Sequence, residues 1–174
     1  MSDHRFQKGD FVVYGTSGVC EVEAVGELSF GTITNCYYTL RPISNTSSLT
    51  YVPCDNEALI AKLRPLLTRE EIEALLSAPL EHAVLFDNDR KVRLAAFREI
   101  LSVGEPKTLL AMIRCLLLKQ REFDKINRNL SLSDSEILRS AIFIIDSEFA
   151  FVLGIPKETV ADYIRTHTNP EERI

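Results

Sequence analysis

Residues 6–25 read FQKGDFVVYGTSGVCEVEAV, and the fold of the front of the chain turns on how that stretch is parsed. Gly9-Asp10 is a turn pair that leads into Phe11-Val12-Val13-Tyr14, a β-branched and aromatic run suited to a pleated, half-buried surface. Gly15-Thr16-Ser17-Gly18 interrupts the run, and Val19, Glu21, Val22, Glu23 and Val25 resume it with near alternation. Two strand-like runs around a glycine cluster predict a β-hairpin. Further runs at 33–41 and 49–52, set apart by Gly, Ser, Thr and Asn, bring the expectation to four or five short strands within residues 1–55. That number suits a small SH3-like or Tudor-like β-barrel. The segment DNEALIAKLRPL is expected to cap the barrel and lead out of it.

From Leu66 onward the apolar period becomes helical. Thr68-Arg69-Glu70-Glu71 has the form of a capping box, and Ile72, Leu75 and Leu76 follow on one face, with Pro79 closing the helix. A second helix is predicted from about Asp89 to Val103, with Gly104 as its C-cap. Pro106 suits the first turn of a third, which turns Leu109, Ile113, Leu116 and Leu117 to the core. A fourth is predicted to start at Ser133, on the capping box SDSE, and to run to Gly154; a fifth follows Pro156. The fold class is therefore α+β in two domains: a β-rich module over residues 1–66 and a compact all-α bundle of about five helices over residues 67–174.

The chain has 174 residues, 45% of them hydrophobic, enough to bury a core in each half. No apolar run approaches the roughly 20 residues that span a bilayer, and the polar start MSDHRFQKGD does not resemble a signal peptide, so a cytoplasmic protein without membrane attachment is expected. Cys20, Cys36, Cys54 and Cys115 form no C-x-x-C pair, which favours structural thiols over a metal site or a disulfide framework. His4, His82 and His167 lie far apart, and nothing supports a metal or cofactor. No carboxylate pairs with a His, Ser or Cys in a catalytic order and no glycine-rich phosphate loop occurs, so neither an enzyme nor a small-molecule substrate is expected.

The net charge of −5 argues against indiscriminate coating of DNA, because nonspecific affinity comes from neutralising phosphates. That average conceals a pattern. Residues 67–89 carry one basic and six acidic side chains, residues 90–128 ten basic and four acidic, and residues 129–174 four basic and eight acidic. A basic island between acidic flanks suits a confined anionic contact. Within it, Lys107, Arg114, Arg121 and Lys125 are spaced 7, 7 and 4 apart, which aligns them along one side of a helix, with Arg128 able to extend the stripe. An ordinary solvated face also carries Lys and Arg, but this stripe has no acid in it. Arg90, Lys91, Arg93 and Arg98 crowd the start of the preceding helix, where the macrodipole disfavours cations unless Asp87 and Asp89 screen them. Phosphate would suit that placement, since arginine forks and helix N-terminal N–H groups both bind it. Ala150, Gly154 and Val160 have helix-turn-helix spacing, although Glu158 and Asp162 make the following helix a poor DNA reader.

The residues Phe6-x-x-Gly9-Asp10-x-Val12-Val13-Tyr14-x-x-x-Gly18 and Val22-Glu23-Ala24-Val25, followed by Tyr37-x-x-Leu40, Val52-Pro53 and Lys62-Leu63-Arg64-Pro65-Leu66-Leu67, resemble the start of the CarD/CdnL family of bacterial transcription regulators. The family's first module is shared with transcription-repair coupling factor. Glu99-x-Leu101-x-x-Gly104-Glu105, Ile113-Arg114-x-Leu116, Leu130-Ser131 and Ile145-x-x-Glu148 extend the resemblance into the helical half.

The resemblance implies a β module that docks on the β1 lobe of the RNA polymerase β subunit by adding a strand edge. It implies, too, a helical domain that touches promoter DNA at the upstream edge of the melted bubble and alters the life of the open complex. Strand addition supplies main-chain hydrogen bonds, and tethering makes weak, backbone-directed DNA affinity sufficient, which reconciles an acidic chain with a DNA role. Arg90, Lys91, Arg93, Arg98, Lys107, Arg114, Arg121 and Lys125 are the expected DNA contacts, and Leu28, Tyr37 and Tyr51 the expected polymerase contacts. Family members place a Trp before the basic run of the second helix, where it wedges into the minor groove; this chain has no Trp and carries Arg90 there. Phe86 lies close by, as a core residue or a substitute wedge. Two family arginines facing the polymerase appear as Leu28 and Tyr51. The alternatives are an adaptor or competitor that keeps polymerase docking without productive DNA contact, and a free-standing repressor reading DNA through Lys157 to Arg165.

Overall fold

The computed structural model describes residues 5–79 and 84–168. The chain divides into two compact units, Met1–Leu66 and Leu67–Ile174.

The first unit is an antiparallel sheet of five strands: β1 (Phe11–Tyr14), β2 (Val19–Phe30), β3 (Ile33–Pro42), β4 (Thr50–Pro53) and β5 (Leu63–Pro65), in the order β4-β3-β2-β1-β5. The predicted hairpin is β1–β2, in register Val12↔Cys20, with the glycine-bounded break forming a 3-10 turn over Gly15–Ser17. Gly18, at φ 71°, lets the chain turn back where an L side chain would be strained. One face of the sheet packs Val12, Cys20, Val22, Tyr38, Leu40, Val52 and Leu63 with Phe6 into a single core. A register shift between Val22 and Ala24 makes Glu23 a bulge; β4 flanks β3 as far as Tyr37↔Pro53, and beyond that pair β2 and β3 continue as a two-stranded arm to the turn at Gly31-Thr32.

Two features of this unit differ from the sequence expectation. The segment read as a cap holds one helical turn, α1 (Glu57–Ile60), N-capped by Asn56, and then a fifth strand, β5, paired to β1 through Val13↔Arg64. Pro65, lacking an N–H, fits there because β5 is an outer strand. Among the described residues β4 and β5 are the two ends of the sheet and do not pair with each other.

The second unit contains α2 (Arg69–Ser77), α3 (Arg90–Val103), α4 (Pro106–Asp124), α5 (Leu132–Leu153) and α6 (Val160–His167). Its core joins Ile72, Phe97, Leu109, Met112, Leu116, Ile144, Ile145, Phe149 and Val160. Thr68 and Glu71 form the expected reciprocal capping box, Gly104 closes α3 in the left-handed conformation, and Pro106 stands in the first turn of α4. The start of α5 is two residues earlier than expected: Ser131, not Ser133, takes the N-cap and accepts the N–H of Asp134. Gly154, at φ 66°, ends α5; a 3-10 turn over Lys157–Thr159 then leads into α6, with Val160 buried. Two contacts close the unit: the Glu148 carboxylate, fully buried, accepts the Leu67 N–H at 2.9 Å, and Arg69 Nη2 donates to the Leu153 carbonyl at 2.8 Å, capping the end of α5. Among the described residues no helix is long and apolar enough to cross a membrane.

Candidate polymerase and nucleic-acid interfaces

Residues directly opposite in an antiparallel sheet point to the same side, so the register sorts the side chains. Phe30↔Ile33, Leu28↔Asn35, Gly26↔Tyr37, Ala24↔Thr39, Tyr37↔Pro53 and Thr39↔Tyr51 lie on one face; Cys36, Tyr38 and Val52 lie on the core face. Leu28, Tyr37 and Tyr51, far apart in the sequence, therefore share the face opposite the core. Phe30 joins them: its ring meets Tyr37 edge-on at 5.4 Å between centroids and Tyr51 at 5.2 Å. Phe30 is 49% exposed, Ile33 65% and Tyr51 41%, so the cluster faces outward. Sequence reasoning missed Phe30 and Ile33; the available signal was two large apolar residues flanking a Gly-Thr hairpin turn.

β4 also presents its edge. Cys54 N–H donates to the Cys36 carbonyl at 2.9 Å, which makes Cys36↔Cys54 a hydrogen-bonded pair. By alternation Val52↔Tyr38 is another, and Thr39↔Tyr51 is not. The backbone N–H and C=O of Tyr51 consequently point away from β3, while Pro53 has no N–H and its carbonyl already accepts the Asn56 N–H at 3.3 Å. An incoming strand thus meets a short edge bordered by an aromatic cluster.

In the helical unit, the start of α3 and the end of α4 meet around two rings. Phe86 packs edge-on against Phe97 at 6.5 Å and Phe123 at 6.3 Å; Arg93 stacks over Phe86 at 4.1 Å, Lys119 lies 5.3 Å from both Phe86 and Phe123, and Arg128 lies 4.9 Å from Phe123. Phe86 is half-buried among these groups, as a core residue would be. Arg90, exposed, donates to Ser133 Oγ at 3.1 Å. Lys119, which pairs with Glu122 at 2.8 Å, and Arg128 therefore stand around these rings; Lys119 had not been anticipated, because it falls off the heptad-spaced stripe.

Arg93 corrects the sequence expectation. It is 7% exposed, and its Nε and Nη2 each donate to an Asp134 carboxylate oxygen at 3.0 Å, while Nη1 donates to the Asp87 carbonyl at 2.6 Å. Its donors are spent inside the protein, so it is not a surface contact. Burial by itself would raise the Asp134 pKa, but hydrogen bonds from Arg93 and Ser131 and the charges of Arg93 and Arg90 outweigh it and hold that carboxyl below the usual range. The N-terminus of α3 is closed as well: Asp89 Oδ1 accepts the N–H groups of Lys91 and Val92, donors that had been expected to serve phosphate.

The remaining predicted cations separate. Lys91, Arg98, Arg121 and Lys125 are exposed; Lys107 is half-buried in the first turn of α4, whose N-cap is Glu105. Arg114 leaves the stripe, lining a half-open hollow of about 270 Å³ with Leu75, Ile113, Leu117, Ile142 and Ile164, and its Nε is shielded from solvent. Ile113 and Leu117, expected in the core, line this hollow and are only partly buried. At the helix-turn-helix corner, Arg165 pairs with Asp162, and Lys157 lies 4.0 Å from the Phe143 ring. Among the described residues no three His, Cys, Asp or Glu side chains are grouped as a metal site would need; His4 and His82 lie outside them.

A five-stranded antiparallel sheet with an outward aromatic face and an open edge is the build of a small protein-docking module. Residues 6–66, nearly the whole of the first unit, match the family described as the CarD-like/TRCF RID domain. No curated protein matches the chain.

Proposed function

We propose that the chain is a non-enzymatic transcription regulator. Its first unit, a Tudor-like barrel bent at the Glu23 bulge, docks on the β1 lobe of the RNA polymerase β subunit, and its helical unit touches promoter DNA backbone at the upstream edge of the bubble, altering the life of the open complex. The observation that carries the docking is the outward cluster of Leu28, Phe30, Tyr37 and Tyr51 beside the open edge of β4, inside the segment that matches a polymerase-interacting domain. Main-chain pairing supplies affinity and the aromatic rings supply register and specificity. Titration of the full chain with the purified β1 lobe of the host polymerase tests it. Binding is expected, and Phe30→Ala and Tyr51→Ala should each weaken it by about tenfold, roughly 1.4 kcal/mol. A wild-type chain that fails to bind the lobe would falsify the docking.

DNA contact rests on Arg90 and Lys91, exposed at the start of α3, and on Arg128, exposed over the Phe123 ring. Three observations favour a second reading, an adaptor or competitor without productive DNA contact: the chain lacks the wedge Trp, Arg93 is enclosed, and Asp89 occupies the first N–H groups of α3. Open-complex lifetime on a purified promoter separates the two. A regulator changes that lifetime by itself, and Arg90→Ala with Lys91→Ala and Arg128→Ala removes the change. An adaptor leaves it untouched unless a Trp-bearing relative is present to be displaced.

A further inference from the structure

Cys36, on β3, and Cys54, one residue past β4, face each other across the sheet, and neither is needed for docking or DNA contact. Both are thiols. The Cys36 S–H donates to Cys54 Sγ at 2.9 Å, well inside the ordinary separation of two non-bonded sulfurs. Cys54 N–H donates to the Cys36 carbonyl, which continues the β3–β4 register and makes the two cross-strand partners, where Cα atoms lie about 4.5–5.5 Å apart. That separation falls within the range a disulfide spans, so the sulfurs need only close to about 2.05 Å, with no movement of the strands. Both side chains are half-buried, leaving a path for a small oxidant, whereas Cys20 is fully buried in the core of the first unit.

We propose that Cys36 and Cys54 are an oxidisable dithiol, a modification site that closes reversibly to a disulfide across β3 and β4 under a hydroperoxide. The Cys36 thiolate attacks one peroxide oxygen; the O–O bond breaks, Cys36 becomes a sulfenic acid, and water or an alcohol leaves. Cys54 sulfur then attacks the Cys36 sulfur. The S–S bond forms, the S–O bond breaks, and hydroxide departs with the Cys54 proton as water. Two electrons pass from the thiol pair to the peroxide, and a dithiol reductant returns them. The order of attack follows from the surroundings: burial, the contact with the Cys36 sulfur and the charges of Cys36 and Asp55 push the Cys54 thiol up to about 12, which keeps it protonated while Cys36 reacts. Its contact with Cys36 makes the second step effectively intramolecular.

The bond would join the β4 end of the sheet to β3, the strand it pairs with, on the face opposite Tyr37 and Tyr51. Dithiol closure does not depend on polymerase docking. The full chain, treated with hydrogen peroxide and alkylated in denaturant, reads it by peptide mass mapping. Of four alkylatable thiols, two are expected to disappear, with a linked Cys36–Cys54 peptide two hydrogens lighter, and dithiothreitol restores both. Cys54→Ser should instead leave Cys36 trapped as a sulfenic acid that a dimedone probe labels. Survival of all four thiols, loss of Cys20 or Cys115 first, Cys36 passing to sulfinic acid in the wild-type chain, or disulfide-linked dimers would each overturn the proposal.

Discussion

Arg90 and Arg93 sit one turn apart at the start of α3 and meet opposite fates, because only Arg93 points at Asp134. Breaking a buried ion pair leaves one charge unpaired in low dielectric, so Arg93→Ala is expected to destabilise the helical unit by about 3–5 kcal/mol, and Arg90→Ala by under about 1 kcal/mol. Denaturant melts of the two variants check the contrast, which would vanish if both were surface cations. The pair also has a pH signature. Asp134 is held below its ordinary value in the folded state, so its stabilising contribution is fully present above the unfolded aspartate pKa, about 3.9, and is lost as pH falls through the lower folded value. Asp134→Asn should remove that acid limb from a stability-versus-pH series measured between about pH 2 and 5. Charge type was legible in the sequence; burial was not. Nothing in RKVR says that one arginine will find a carboxylate 41 residues downstream, and heptad spacing could not show that Arg114 borders a hollow while Lys119 reaches two rings.

Where a local rule acts within a few residues, the elements were legible. The glycine-bounded hairpin, the Thr68 capping box, the Gly104 C-cap and the Pro106 start each depend on neighbours in the chain, and each stands where the pattern put it. Thr68→Ala is accordingly expected to cost about 1 kcal/mol in a chemical denaturation curve and Thr68→Ser little, since serine restores the acceptor. Gly104→Ala should cost about 1 kcal/mol through its left-handed backbone alone, because an added Cβ would meet nothing closer than the Leu101 carbonyl at 3.9 Å. Elements fixed by distant partners were not legible. β5 is three residues ending in Pro65 and exists because Val12, Val13 and Tyr14 receive it. At α5 two capping patterns overlap, Ser131-x-x-Asp134 and Ser133-x-x-Glu136. The first prevails as Ser131 Oγ bonds Asp134 Oδ2 at 2.6 Å, fixing the carboxylate that Arg93 needs, while Ser133 is engaged by Arg90.

For the molecule as a whole, the decisive quantity is the weakness of the proposed DNA contact. A chain of net charge −5 offering three exposed cations cannot compete for free DNA, but attached to polymerase it meets promoter at a high local concentration. If Arg90, Lys91 and Arg128 each neutralise one phosphate, the logarithm of the contact's equilibrium constant falls with the logarithm of salt at a slope of about −2.7, and a fourfold rise in salt weakens it roughly 40-fold. Polymerase docking through β4 and its aromatic face uses main-chain bonds and apolar area, and should change far less over the same range. Crosslinking of the chain to forked promoter DNA, measured with and without polymerase across a salt series, reads both terms. The expected result is crosslinking only with polymerase, lost steeply with salt while polymerase stays bound, and lost at low salt in the triple alanine variant. Equal crosslinking without polymerase would mean that the helical unit grips DNA unaided, and the acidic flanks of the basic island would then have no screening role to play.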